Sequence, residues 1–337
     1  MQAAVFKALG QPLRVESVPD PKPGPEDVLV KVGRCGICGT DLHITEDPIF
    51  HATSGMVLGH EFAGEIVEIG SKVDRMRKGD RVAVLPVRSC GHCAACLSGQ
   101  PARCREMQIT GGGYGQYTVA RQIQCVKLPS TVSVADGALI EPLAVGLHGA
   151  NAAPILPGAR VLVIGAGPIG LAAAFWARRL GATHVAVTAS STRREVLARE
   201  MGATAFVPPS DNLGAAVNEA LGGPPDIVFE AVGKPGLLAT AVDLVRSRGS
   251  VVLLGLCTAT DTYNPFQTMV KEVRIQPSML YDLHEFEAAA DVLDGGAATP
   301  RSMVTETVTL AGLPDAFEAL RHRTTQCKTL IDLWSAG

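Results

Sequence analysis

The stretch "RVLVIGAGPIGLAAAFWARRLGA", residues 160–182, narrows the possible folds more than any other. A β-branched run halts at Gly165, three glycines and a proline fall within six residues, and an alanine-rich run follows. Residues 161–177 carry no charge and approach the length of a membrane span, but the central Gly and Pro divide them into strand, turn and helix. No membrane segment is therefore expected. "GAGPIG" fits G-x-G-x-x-G, which means little by itself in a chain with 36 glycines. Between a strand and a helix it predicts a dinucleotide site. Gly165 makes the tight turn, Gly167 lets the backbone approach a pyrophosphate, and Gly170 lets the helix pack on the strand. Pro168 and Ile169 complete the loop, and the helix N-terminus supplies N–H groups and a dipole that favour an anion.

The surrounding texture extends this reading. From about residue 157, strands ("RVLVIG", "HVAVTA", "DIVFEAV", "SVVLLGL") alternate with helices ("GLAAAFWARRLGA", "TRREVLAREMGA", "GLLATAVDLVRSRG"). That order predicts a doubly wound parallel sheet in an α/β fold. Residues before 150 are β-rich instead, with "VLVKVG", "FAGEIVEIG" and "DRVAVLPV" bounded by turn residues. After about 284 come a helix "HEFEAAADVLDGG", a strand "MVTETVTL", a helix "PDAFEALRHR" and a strand "KTLIDLW". The expected divisions are 1–150, 151–283 and 284–337. The net charge of −3 with no long basic run gives no footprint for nucleic acid. The N-terminus lacks the layout of a secretory signal, so a cytoplasmic location is expected, where clustered cysteines serve metals or chemistry more often than disulfides.

"SCGHCAACLSGQPARC", residues 89–104, carries four cysteines, Cys90, Cys93, Cys96 and Cys104. Four thiolates satisfy tetrahedral zinc, and short loops let the backbone wrap the ion. An iron–sulfur cluster also takes four cysteines, with different spacings in ferredoxins. We expect a structural zinc here, with His92 as an ordinary loop residue. A zinc-ribbon binding module is the competing reading of the quartet, opposed by the charge balance and the adjoining nucleotide fold.

A second set of metal-competent residues is dispersed. "GRCGICGTDLHI" offers Cys35, Cys38, Asp41 and His43; "VLGHEFAGEI" offers His60 and Glu61; "LIEPLAVGLHG" offers Glu141 and His148. Spacing cannot join segments so far apart, and each residue alone reads as ordinary. However, "CGICGTDLH", "GHEFAGEI", the quartet, "EPLAVGLH" and "VLVIGAGPIGLAAA" resemble, in order, the motifs of zinc-dependent medium-chain alcohol dehydrogenases, especially the sorbitol and threonine dehydrogenase branch. The resemblance implies a GroES-like catalytic domain built from both chain ends, with a Rossmann domain inserted between them. It also implies that Cys38, His60 and Glu141 hold a catalytic zinc, making two Zn2+ per chain, with Glu61 either a ligand or linked through water. Thr40 and His43 resemble the family's proton relay; without the resemblance Thr40 is a turn hydroxyl. Val232, Leu256, Met279 and Leu280 are placed along the cofactor. Relatives are dimers or tetramers, commonly joined through edge strands, so a homodimer or homotetramer is expected. A zinc-free reductase on the same fold is disfavoured by the retained ligand residues.

Two features bear on specificity. NAD-binding versions of the fold place Asp or Glu about 20 residues past the glycines. Here "VAVTASSTRR" has Ala189 there, and Ser190, Ser191, Arg193 and Arg194 offer hydroxyls and positive charge. This favours NADP, with NAD the alternative and a helix-surface arginine the ordinary reading of Arg194. For the substrate, Ile44 and Leu280 stand where sorbitol dehydrogenase-like sequences often carry Tyr and Arg. With Phe50 and Met279 expected near them, a less polar secondary alcohol or its ketone is expected, the alternative being a polyol or amino alcohol.

Overall fold

The computed structural model describes residues 1–322 and 325–335. The chain forms two compact units, one from Met1–Glu141 with Asp282–Gly337, the other from Pro142–Tyr281. The first division thus falls inside the helix Ile140–Asn151 rather than at its end, and the second close to the expected position.

In the inserted unit six parallel strands lie in the spatial order Ala205–Val207, His184–Thr188, Arg160–Ile164, Ile227–Glu230, Ser250–Leu253, Arg274–Pro277. Numbered within the unit this is 3-2-1-4-5-6, so the connections reverse direction between Arg160–Ile164 and Ile227–Glu230. Ligands bind open parallel sheets at the carboxyl ends of the strands beside such a reversal. The inner strands are continuous apolar runs because helices cover both faces: Val161, Val163, Val185, Val187, Val228 and Phe229 are all fully buried. Each such side chain contributes on the order of 1.5–3 kcal/mol. The helix Pro168–Arg179 begins with proline, where no N–H is needed, and its face against the sheet is almost wholly apolar.

In the other unit a seven-stranded sheet centres on Asp27–Gly36. That strand pairs antiparallel with Glu61–Ile69, Tyr117–Arg121 and Lys328–Asp332 at different points along its length. Two register shifts interrupt the pairing with Glu61–Ile69, and beyond them Cys35 lies opposite Phe62 and Gly36 opposite Glu61. On the other side Leu330 lies opposite Gly36. This register gathers three distant segments at one strand end. Gly36 is required there, because a Cβ would fall 2.2 Å from Glu61 Oε2.

The structure departs from the sequence reading in places. The helix expected from residue 192 begins at Glu195, leaving Ser190 to Arg194 in a turn. The strand Ala205–Val207, too short to show a period, was not anticipated, nor was the helix Leu213–Leu221, whose Val217 and Leu221 are buried one turn apart. The helix expected over "PDAFEALRHR" is Leu313–Ala319, and its proposed last residue, Arg323, lies outside the described residues. Among the described residues no helix is long and apolar enough to cross a membrane.

Candidate active site

Cys38 follows the central strand and precedes the helix Gly39–Ile44, while His60 and Glu61 lead into the neighbouring strand. One ligand atom from each of Cys38, His60 and Glu61 lies within 4.8 Å of the others. A thiolate, an imidazole and a carboxylate in one cluster fit a catalytic zinc. His60 Nδ1 lies 3.2 Å from Asp41 Oδ1, and the Tyr114 hydroxyl donates to Asp41 Oδ2 at 2.6 Å. Asp41 is buried, which opposes its charge, yet the His60 ring and the bonds from His60, Tyr114 and Gly59 hold its carboxyl below the usual range. Burial likewise opposes charge on His60, but Asp41 and then Cys38 outweigh it and hold the ring's proton well above the ordinary pH. A metal must displace that proton, so zinc uptake strengthens as pH rises.

Behind Glu61 stands Lys328, from the last strand. Its Nζ donates to Glu61 Oε1 and Oε2 at 2.7 and 2.5 Å and to Ile37 O at 3.0 Å. Both side chains are essentially inaccessible. Burial alone would strip the lysine's proton, but the facing carboxylate reverses this and raises its pKa.

Glu141, implied by the resemblance as the third ligand, is buried in the first turn of Ile140–Asn151 but is not part of the compact trio; Glu61 stands there instead. Thr40 and His43 are both half-buried and three residues apart on Gly39–Ile44, hence on one face. Ile44 packs against the hydrophobic core of its unit, so its apolar character serves packing and says less about substrate than the sequence suggested. Phe50 is half-buried in the short turn Pro48–Phe50.

The quartet lies in the same unit. The ligand atoms of Cys90, Cys93, Cys96 and Cys104 fall within 4.8 Å of one another. Cys90 Sγ is 3.9 Å and Cys93 Sγ 3.6 Å from Cys96 Sγ. Four sulfurs at about 2.3 Å from a tetrahedral centre would be about 3.8 Å apart, so the set fits zinc. Backbone N–H groups point at the sulfurs: Cys93 N donates to Cys90 Sγ at 3.4 Å and Glu106 N to Cys104 Sγ at 3.4 Å. N–H groups of His92 and Cys93 pull the Cys90 thiol down to about 6. The Cys96 N–H favours the Cys93 thiolate too, but the facing sulfurs of Cys96, Cys90 and Cys104 push it up to about 11. His92 is exposed, with Nδ1 3.0 Å from Cys90 O.

In the inserted unit Gly165 has φ +112° at the end of Arg160–Ile164. Nothing lies within 4 Å of where a Gly167 Cβ would stand, leaving the backbone open to a ligand, whereas a Gly170 Cβ would fall 2.0 Å from Gly165 O. Gly170→Ala must therefore push the helix off the turn. We expect it to weaken nicotinamide nucleotide binding at least tenfold, about 1.4 kcal/mol, in a fluorescence titration. Pro168 and Ile169 open the helix. Arg194 does not sit on a helix surface: it precedes Glu195–Glu200, and its Nη1 donates to Ala166 O at 3.1 Å, which brings its charge to the glycine turn. Ser190 and Arg193 are exposed and Ser191 half-buried in the same turn. Val232, Leu256 and Met279 are exposed beyond the carboxyl ends of successive strands, and half-buried Leu280 adopts φ +60°.

Three contributors escaped the sequence reading, and a fourth was read there in another role. Asp41 was noted as a possible ligand, but it supports His60 instead. Tyr114 and Lys328 gave no signal, being an aromatic in a glycine run and a lysine at a strand start. Glu230 ends the strand Ile227–Glu230, accepts from Val232 N at 2.8 Å and Gly233 N at 3.0 Å, and so shapes the loop beside the reversal. Burial raises its carboxyl above the ordinary value. An acid between an apolar run and "AVG" was the available clue.

Residues 24–130 match the alcohol dehydrogenase GroES-like domain family, and residues 168–295 match the zinc-binding dehydrogenase family. The chain is 32% identical to L-idonate 5-dehydrogenase from Vitis vinifera, over 95% of this chain and 92% of the relative. A solved zinc-binding dehydrogenase from Sinorhizobium meliloti bound to NADP superposes with a TM-score of 0.89 at 33% identity, covering 98% of this chain and 99% of that one. An Escherichia coli alcohol dehydrogenase complexed with NADH gives a TM-score of 0.89 at 29% identity, over 99% of each chain. A GroES-like unit interrupted by a Rossmann unit, with these two donor sets, defines a nicotinamide-dependent zinc dehydrogenase. The chain belongs to the zinc-dependent medium-chain alcohol dehydrogenase family and is an oxidoreductase of that kind.

Proposed function

We propose that this enzyme moves hydride between NADP(H) and a secondary alcohol or its ketone, using a catalytic zinc held by Cys38, His60 and a carboxylate. The observation that carries this reading is the convergence of Cys38, His60 and Glu61 in one cluster. When bound there, zinc supplies a Lewis acid that favours loss of the alcohol's proton. Cys38 and His60 grip the ion, and Asp41 fixes the tautomer of His60. Lys328 engages both oxygens of Glu61, which supports Glu141 as the third ligand and Glu61 as a carboxylate in reserve. Zinc content of Glu141→Ala and Glu61→Gln discriminates: loss confined to Glu141→Ala supports this assignment, and loss confined to Glu61→Gln reverses it. Thr40 takes the alcohol's proton and His43 passes it on, since a histidine exchanges protons near neutral pH. Cys90, Cys93, Cys96 and Cys104 hold the second, structural zinc.

NADP is favoured by Ala189 in place of an acid and by Arg194 at the glycine turn, with Ser190, Ser191 and Arg193 nearby. Gly165, Gly167, Pro168, Ile169 and Gly170 receive the pyrophosphate, and Val232, Leu256, Met279 and Leu280 flank the cofactor. Arg194→Ala is expected to raise KM for NADP at least tenfold, about 1.4 kcal/mol, with a smaller change for NAD. Equal effects on both would refute the assignment. Leu280 supports a substrate of low polarity, whereas the likeness to an idonate dehydrogenase favours the polyhydroxylated side of the alternative. A panel of secondary alcohols, polyols and ketones assayed with both cofactors tests this: a polyol preferred many-fold over arylalkyl alcohols would overturn the low-polarity reading. The edge strand Arg274–Pro277 follows a helix with exposed Phe266, Met269 and Val270, which supports a homodimer or homotetramer joined along that edge in a cytoplasmic enzyme. A monomer by light scattering would refute it.

A further inference from the structure

Tyr114 has no accessible surface, and its hydroxyl is committed to a single acceptor, Asp41 Oδ2, at 2.6 Å. The ring is fixed from several directions. Gly59, at φ +83°, leaves room that a Cβ would take, 2.4 Å from Tyr114 Cδ1. Phe317 meets the ring edge-on with centroids 6.4 Å apart. Tyr114 N donates to Leu58 O at 3.0 Å, and Ala4 N donates to Tyr114 O at 2.9 Å. Tyr114 is therefore held by three separate segments, around Ala4, Leu58–Gly59 and Phe317, before its hydroxyl touches Asp41.

Asp41 is 1% exposed, so each carboxylate oxygen needs a donor from the protein. The phenol fills one oxygen, and the other faces His60 Nδ1 at 3.2 Å. We propose that Tyr114 is a positioning residue for the metal ligand His60: by occupying Oδ2 it turns Oδ1 onto Nδ1–H and fixes the imidazole plane, leaving Nε2 for the metal. The inference rests on the zinc site proposed at Cys38 and His60. Without the hydroxyl the carboxylate keeps only His60 and the Gly59 N–H as donors and loses the one that fixes Oδ2, so it gains rotational freedom and the ring loses orientation. Partners that orient a ligating histidine commonly change metal affinity by about 10–100-fold when removed.

The test uses full-length, zinc-loaded wild type, Tyr114→Phe, Asp41→Asn and the double variant. Tyr114→Phe keeps the ring and its packing and removes only the oxygen. Zinc release to a chromophoric chelator and the visible absorption of the cobalt(II)-exchanged protein are recorded. Wild type should release two zincs in two phases, and Tyr114→Phe should release one of them at least about tenfold faster while the quartet's zinc is unaffected. Its cobalt bands should shift, and adding Tyr114→Phe to Asp41→Asn should cause little further change. Release rates and cobalt bands equal to those of wild type would overturn the role of Tyr114, as would additive effects in the double variant. Wild type that binds only one ion, at the quartet, would overturn the metal-site reading beneath it.

Discussion

Cys38→Ala should lower kcat/KM for alcohol oxidation by about 10³-fold or more, a loss of about 4 kcal/mol of transition-state stabilisation. The thiol is one of three atoms gathered within 4.8 Å, and it follows the central strand rather than belonging to the buried core. Removing it takes away an anionic metal ligand and leaves a surface that water can fill. The sheet register that aligns Gly36 with Glu61 does not depend on it, so the fold should persist. The nucleotide residues lie in the other unit, so binding of NADPH should be unchanged, and zinc content should fall by one ion per chain. Full activity in Cys38→Ala would mean that the reaction does not pass through this centre.

Lys328→Met should destabilise the β-rich unit by about 3–5 kcal/mol, read from the first unfolding transition in urea. The loss comes from what is left behind. Glu61 has 0% side-chain exposure, both of its oxygens accept from Lys328, and methionine fills the same space without a proton to give. A buried carboxylate without its cation must take up a proton, recruit water or move toward the metal site. The double variant Lys328→Met with Glu61→Gln should recover more than half of the loss, because it removes the stranded charge. The sign of the pH dependence follows from the raised lysine pKa. A cation held more tightly in the folded state contributes fully at neutral pH and loses its contribution only in strong alkali. A single variant within about 1 kcal/mol of wild type would show that the pair is incidental.

The parts of this molecule that are local in sequence were legible in advance. The glycine turn, the strand and helix alternation and the cysteine quartet each declare themselves within a few dozen residues, by period or spacing. Cys38, His60 and Glu61 do not, because register between strands brings them together, and only the resemblance to known dehydrogenases joined them. That resemblance also implied Glu141 as a ligand, whereas the compact trio contains Glu61. Lys328 was invisible for a further reason. A lysine opening "KTLIDLW" reads as the polar edge of a strand, and its partner lies 267 residues away. Arg194 was read as a cofactor residue, with a helix surface as its ordinary alternative; the helix starts at Glu195, and the side chain reaches Ala166 O.

The most direct test is a crystal of the zinc-loaded protein with anomalous diffraction recorded on both sides of the zinc edge. Two peaks per chain are expected, one inside Cys90, Cys93, Cys96 and Cys104 and one touching Cys38 Sγ, a His60 ring nitrogen and a single carboxylate. One peak at the quartet alone, from protein that still oxidises alcohols, would contradict this.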